Sequence, residues 1–418
     1  MTRTERQQEA INRWIKAKGR GTWEFPTAFG KTYTAIQAIQ RIRVRYPDIQ
    51  ILVVVPTLTL KDQWIDELTK HDVIFNVEVV VINTVIKHSW TCDLLIIDEI
   101  HTAGADEMSK VFSQVKYKKI LGLTATFERL DGKHALLAKF APIVDVVSTE
   151  EAILNGWIST FTEYEVLIDV EDLDLYKSYN KEFQEHFEFF QFDFDLAMKC
   201  VGPEGYKQRL RLRDEYYTGD DPEKKSQMLK AVTYHAMGLM QTMTKRKSFI
   251  NNHPEKIYWA QRIMNARPDS KIITFSNNVK MAEALENSQY VYTGKTTKAK
   301  GRVMIEDFLS GKINHLHSCK RLIEGFNDPE VSVGIILGMD SSERRSVQTR
   351  GRIIRKVDGK KAEIFNLVIK GTQEEKWFRD SHKTTPFITI DTDGLEQVLR
   401  GETPDLYLKK QAQFTFRF

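Results

Sequence analysis

Two carboxylates in succession, Asp98 and Glu99, close the apolar run Leu94-Leu-Ile-Ile97. A short apolar run of this kind reads as a buried strand. Adjacent carboxylates at its carboxyl edge can hold a divalent cation and activate a water, and that edge of an open α/β sheet is where ligands bind. Upstream, Pro26-Thr-Ala-Phe-Gly-Lys-Thr32 is composed like a phosphate loop, with Thr27 and Gly30 lining it. Gly30 lets the backbone approach phosphate oxygens, and the helix that follows offers free N–H groups at its positive dipole end. Lys31 would set a point charge against the β- and γ-phosphates, and the Thr32 hydroxyl can ligate Mg²⁺ beside Asp98. Downstream, Gln348-Thr-Arg-Gly-Arg-Ile-Ile-Arg355 carries paired guanidiniums at Arg352 and Arg355. The chemistry these types suit is Mg²⁺-assisted hydrolysis of ATP.

Each segment alone has a plainer explanation. Gly-Lys-Thr also begins ordinary helices, and the strict GxxxxGK[ST] spacing wants glycine where this chain has Phe25. Ala28 likewise stands where such loops often carry glycine. An acidic pair can be a solvated turn, arginines a solvated surface, and His101 a lone histidine. Their order along one chain makes those readings the minority.

The elements that must position these groups alternate. An amphipathic segment over Gln7–Ala17 comes first, and Lys31–Arg45 reads as the helix after the loop. Strands are expected at 51–55, 77–82, 94–97, 120–123 and 143–147. A second alternating block has candidate strands at 271–275, 290–292, 315–318, 333–337 and 363–368. Short apolar strands between helices indicate parallel sheets covered on both faces, so the fold class is α/β with two sheets facing across a cleft. The expected domains are 1–150, a linker and helical insertion over 151–255, 256–372, and a tail over 373–418.

Residues 172–250 differ in composition. Tyr176, Tyr179, Phe183, Phe187, Phe190 and Phe194 recur at steps of three and four, a helical stripe. Packing against a neighbouring helix is the first reading, and a stacking surface for unpaired bases the second. Lys207, Arg209, Arg211 and Arg213 read as a solvated face, with phosphate contact second. Alternating Phe414, Phe416 and Phe418 suggest an edge strand docked on the second block.

The chain's 418 residues allow two or three domains. Its 61 basic and 57 acidic side chains leave a formal charge of only +4, so a nucleic-acid surface must be a local patch. Cys92, Cys200 and Cys319 are too few and scattered for a zinc cluster or disulfide framework, which suits a reducing cytosol. The polar start Met1-Thr-Arg-Thr-Glu-Arg6 argues against a secretory signal, and no apolar run approaches the roughly 20 residues of a membrane span. A cytoplasmic protein without membrane partners is expected, in the host cytoplasm if phage-encoded.

In motif order the chain resembles a superfamily 2 helicase from residue 7 to residue 355. Thr4-Glu-Arg-Gln7 is similar to the glutamine motif, which implies an adenine-reading role for Gln7. Val53-Val-Val-Pro-Thr57 with Gln63-Trp64 resembles motif Ia, and Asn83-Thr84 the backbone-contacting motif after it. Gly122-Leu-Thr-Ala-Thr126 resembles motif III, which implies that Thr124 and Thr126 couple the ATP site to the nucleic-acid groove, with His101 bridging toward Gln348. The continuation Phe127-Glu-Arg-Leu-Asp-Gly132 is like that of the XPB, RecG and phage UvsW-like group, with Phe127 in place of their usual proline. Ile272-Ile-Thr-Phe-Ser276 resembles motif IV, and Thr293-Gly294 with Arg302 and Phe308 through Gly311 the next element. Ser318 through Pro329 resembles motif V, with Glu324-Gly325 in place and Asn327 where aspartate is frequent. Gln348, Arg352 and Arg355 resemble motif VI.

The resemblance implies two RecA-like parallel-sheet domains in tandem, ATP and Mg²⁺ as cofactors, and arginine fingers at Arg352 and Arg355. It implies nucleic-acid contacts at Thr57, Thr84, Thr293 and Ser318. The partner implied is single-stranded, forked or branched DNA, handled by a monomer alongside replication or recombination proteins, in recombination, repair or branch migration. An RNA helicase, an ATP-gated binding switch and the motor subunit of a restriction system remain alternatives.

Overall fold

The strand that feeds the phosphate loop is a polar one, Arg20-Gly-Thr-Trp-Glu24, and it lies deep in a parallel sheet. The structure is a computed structural model and describes residues 1–104, 107–125, 127, 134–158, 160–202, 204–319, 330–338, 362–382 and 387–404. Elements of the first lobe are α1 (Arg3–Lys16), β1 (Arg20–Glu24), α2 (Lys31–Arg43), β2 (Ile51–Val55), α3 (Leu58–Lys70), β3 (Val77–Val81) and α4 (Ile82–Val85). They continue as β4 (Trp90–Thr91), β5 (Leu94–Asp98), α5 (Val111–Gln114), β6 (Val115–Lys116), β7 (Lys119–Thr124), α6 (His134–Phe140), β8 (Ile143–Val146) and α7 (Thr149–Leu154). The first sheet runs in the order β3-β2-β5-β7-β1-β8, with every pairing parallel. Apolar residues fill β2 and most of β5 because helices cover both faces. A short parallel pair, β4 with β6, stands apart.

β9 (Phe161–Ile168) leads into four helices, α8 (Leu173–Glu188), α9 (Phe194–Val201), α10 (Gly205–Tyr216) and α11 (Pro222–Asn252). The second lobe follows with α12 (Pro254–Asn265), β10 (Lys271–Ser276), α13 (Val279–Glu283), β11 (Val291–Tyr292), α14 (Lys298–Leu309), β12 (His315–Cys319) and β13 (Val331–Ile336). It ends with β14 (Ala362–Ile369), α15 (Gln373–Ser381), β15 (Ile388–Asp391) and α16 (Thr392–Leu399). The second sheet is ordered β11-β12-β10-β13-β14-β9-β15 and is also parallel throughout. These are two tandem RecA-like domains with a helical insertion. One buried apolar cluster runs from the first sheet through Ala152, Trp157 and Ile158 into Ile273, Leu316 and Ile364 of the second.

Two features differ from the sequence expectation. The second sheet is not confined to 256–372, because it draws β9 from the expected linker and β15 from the expected tail. β9 hides in the sequence because Glu163 and Glu165 interrupt its apolar pattern, yet both carboxylates are buried. Glu163 accepts from Asn366 Nδ2 at 3.1 Å and pairs with His382 Nε2 at 2.8 Å, while Glu165 accepts from Thr389 Oγ1 at 2.7 Å. Phe414, Phe416 and Phe418 lie outside the described residues.

The aromatic stripe is also broken. α8 ends at Glu188, Gln191 and Phe192 adopt left-handed φ values of 53° and 60°, and Asp193 caps α9 by accepting from Leu196 N. Tyr176, Phe183 and Phe190 are buried in packing, whereas Phe194 is exposed beside Phe192. Three of the four basic residues nearby are engaged locally. Lys207 pairs with Glu204, Arg213 with Asp214, and Arg209 donates to the Cys200 carbonyl.

Candidate nucleotide site and nucleic-acid face

The phosphate loop links β1 to α2, and its shape is set from below. Phe25 is fully buried, stacked on Trp23 at a centroid distance of 5.7 Å and edge-on to Phe29 at 5.0 Å. A core aromatic therefore occupies the position where glycine is usual. Gly30 has a φ of 97° and caps α2, and a β-carbon there would lie 2.8 Å from Arg3 Nη2 and 3.0 Å from Gln7 Nε2. Ala28 has a φ of 68°, a left-handed conformation that costs an ordinary residue about 1–2 kcal/mol.

The start of α1 grips this loop. Thr2 and Glu5 close a capping box, fixing the first turn. Arg3 then donates from Nε to the Phe29 carbonyl at 2.8 Å and from Nη2 to the Ala28 carbonyl at 2.8 Å. Gln7, only 2% exposed, donates from Nε2 to the same Phe29 carbonyl at 2.9 Å. Burial lowers the Arg3 guanidinium's proton affinity. Arg6 anchors the helix through a bidentate pair with buried Asp145, at 2.6 and 2.9 Å. Gln7 is legible through the glutamine motif, whereas the only signal for Arg3 is its place one turn earlier on the same helix face.

The acidic pair lies beyond β7, the strand between β1 and β5. Asp98 is 5% exposed, and its two oxygens accept from Trp64 Nε1 at 2.8 Å and from Glu99 N at 3.0 Å. Burial first, and the neighbouring Glu99 charge second, push its pKa up to about 6, while the Trp64 donor and the Lys31 charge pull it back. Glu99 sits at a φ of 48°, a strained left-handed backbone for a residue other than glycine. His101 Nδ1 lies 3.4 Å from Glu99 Oε2 and 2.9 Å from Thr124 Oγ1, so it joins the acidic pair to the end of β7. Lys31 Nζ donates to the Phe25 carbonyl at 3.2 Å, and Thr32 follows it at the start of α2, partly exposed. Trp64 belongs to the motif Ia segment, but nothing in its spacing announces a bond to Asp98.

Phe127 takes a proline's place for a visible reason. Its N–H donates to Glu24 Oε1 at 3.1 Å and its ring is 4% exposed, and a proline could supply neither.

On the expected nucleic-acid face, Thr57 caps α3 by accepting from Leu60 N at 3.4 Å, and Thr84 is exposed on α4. Thr293 N donates to Thr296 Oγ1 at 2.9 Å, at the edge of an open hollow of about 650 Å³ that Lys295, Thr297 and Lys300 also line. Ser318 is the last of the four. It lies inside β12 and is 2% exposed. Thr126, Glu324, Gly325, Gln348, Arg352 and Arg355 lie outside the described residues.

Two families match in tandem. Residues 1–74 and 84–129 match the family described as Type III restriction enzyme, res subunit, and 255–357 match the helicase conserved C-terminal domain. The chain belongs to superfamily 2 of the helicases and translocases. Membership in these helicase families implies an ATP-hydrolysing enzyme, and helicase homologues bind nucleic acid. A DNA 3'-5' translocase XPB2 from Sulfurisphaera tokodaii is 26% identical over 397 residues, covering 89% of this chain and 83% of that one. A putative ATP-dependent RNA helicase QP509L from African swine fever virus is 32% identical over 160 residues, covering 31% of this chain and 30% of that one. The helicase domain of Pyrococcus furiosus Hef superposes with a TM-score of 0.51 at 17% identity, covering 90% of this chain and 97% of that one. S. cerevisiae Dbp5 bound to RNA and ADP BeF3 superposes with a TM-score of 0.56 at 14% identity, covering 94% and 91%. No helix among the described residues is long and apolar enough to cross a membrane.

Proposed function

We propose that this superfamily 2 helicase is a DNA-stimulated ATPase that tracks 3′ to 5′ and remodels forked or branched duplexes. The observation that favours DNA is breadth of likeness. Similarity to a relative named a DNA translocase spans 89% of the chain, whereas similarity to one named an RNA helicase spans 31%.

The donor set fits a magnesium nucleotide. A buried carboxylate held ionisable at the end of β5, a lysine close enough to act on its charge, and a left-handed glycine at a helix start form one cradle. In this reading Thr32 and Asp98 would hold Mg²⁺, which when bound neutralises phosphate charge. Lys31 binds the terminal phosphates, leaving the Phe25 carbonyl to do so. Glu99 orients and deprotonates the attacking water, and His101 with Thr124 fixes its carboxylate. Gln7 and Arg3 hold the loop's shape, and Gln7 reports on adenine. Arg352 and Arg355, with Gln348, would reach in from the second domain, and Glu324, Gly325 and Thr126 would couple the lobes. Thr57, Thr84 and Thr293 would meet backbone phosphates, contacts that position the strand without reading its sequence. The functional lobes are 1–150 and 256–372, the latter extended by β9 and β15.

The test is one turnover panel: ATP hydrolysis with single-stranded DNA, a fork, a four-way junction and RNA. Strongest stimulation by the fork or junction is expected, with Lys31→Ala and Glu99→Gln reducing turnover at least 100-fold, by order of magnitude for such groups. Equal or greater stimulation by RNA would overturn the DNA assignment. Full turnover in either variant would overturn the site.

A further inference from the structure

Two buried tryptophans, Trp14 and Trp157, turn their N–H groups to the backbone. Trp14 Nε1 donates to the Ile120 carbonyl at 2.9 Å, and Trp157 Nε1 to the Met1 carbonyl at 3.2 Å. Trp64 does otherwise. Its indole is 1% exposed within the first-lobe core, and its N–H reaches a side-chain carboxylate, Asp98 Oδ2, at 2.8 Å. A buried indole N–H usually finds an acceptor, and a backbone carbonyl would serve as well as a carboxylate.

The consequence lies in the carboxylate's freedom. An aspartate at a strand end can spin about its last torsion, which has a broad minimum. Here each oxygen has its own donor. Glu99 N holds Oδ1 from the adjoining residue, and Trp64 holds Oδ2 from α3, a separate element. Two donors from different directions fix the plane of the group, leaving one lone pair on each oxygen for a further partner. Groups that hold a metal-binding carboxylate from behind typically change metal affinity about 10- to 100-fold when removed.

We propose that Trp64 is a positioning residue that locks the Asp98 carboxylate for Mg²⁺–nucleotide binding through its N–H. This rests on reading Asp98 as the metal-holding carboxylate. It adds to that reading a residue on the motif Ia helix, which otherwise has no part in the ATP site.

The experiment measures affinity for a fluorescent ADP analogue while Mg²⁺ is titrated from an EDTA baseline. The full-length protein is compared with Trp64→Phe and with Trp64 replaced by benzothienylalanine, which keeps the indole's shape and lacks its N–H. Both variants should bind metal-free nucleotide as the parent does, while the Mg²⁺ concentration at mid-effect rises about 10-fold. Leu68→Ala, a buried change on the same helix that does not touch Asp98, should leave that midpoint in place. Asp98→Asn separates the two readings. A moved midpoint in Asp98→Asn with an unmoved one in folded benzothienylalanine protein would overturn the Trp64 assignment alone. An unmoved midpoint in Asp98→Asn would overturn the metal reading itself. Should Trp64→Phe fail to fold by circular dichroism, the benzothienylalanine protein decides.

Discussion

Asp98→Asn is the perturbation whose size the structure allows to be worked out. The carboxyl is buried and its pKa is raised from 3.8 to about 6. A group raised on folding binds its proton more tightly in the native state. Its stabilising contribution is therefore complete below about pH 4, is lost as pH rises through about 6, and is absent at neutral pH. That rise in proton affinity corresponds to about 3 kcal/mol, a tenfold change being about 1.4 kcal/mol. Asparagine cannot ionise, so in EDTA the variant should gain on the parent by up to about 3 kcal/mol between pH 4 and 7. The amide also turns a donor toward either Glu99 N or Trp64 Nε1, a loss of about 1–2 kcal/mol that does not vary with pH. The pH slope of the difference thus isolates the charge. Scanning fluorimetry at a series of pH values should show the melting difference moving by roughly 6–12 °C in the variant's favour, at about 2–4 °C per kcal/mol for a domain of this size. Adding Mg²⁺ with ADP should then raise the parent's melting point by more than the variant's. A difference that stays flat from pH 4.5 to 7.5 would refute the claim that Asp98 is an ionised carboxylate held at a cost.

Two other substitutions test the loop and its neighbour. Ala28→Gly removes a β-carbon from a left-handed backbone but adds chain entropy in the unfolded state, so stability should change by less than about 1 kcal/mol and ATP turnover should persist; a melting loss of many degrees would show that the alanine methyl is needed. Phe127→Pro deletes a buried ring and the N–H given to Glu24, and should cost about 3–5 kcal/mol, whereas Phe127→Leu should cost under about 2. Thermal melting of both reads this directly, and equal losses would mean that the N–H bond contributes nothing.

Much of the fold and of the candidate site is legible along the chain. The wholly apolar β2 and β5 are recognisable because a parallel strand buried on both faces needs no polar alternation. Gly30, Lys31, Asp98 and Glu99 announce themselves because their chemistry is local: a loop of one shape, a charge and a carboxylate pair at a strand end. Residue order and type suffice for such features. The strands β1 and β9 and the bonds at Arg3 and Trp64 were not legible, for a common reason. Polar side chains read as solvated unless their partners are known, and those partners lie far along the chain: Ala28 and Phe29 for Arg3, Asp98 for Trp64, His382 and Asn366 for Glu163. Burial of a charge or a polar group costs least where a distant acceptor or donor meets it. That meeting is a property of the packed chain, and no local spacing encodes it.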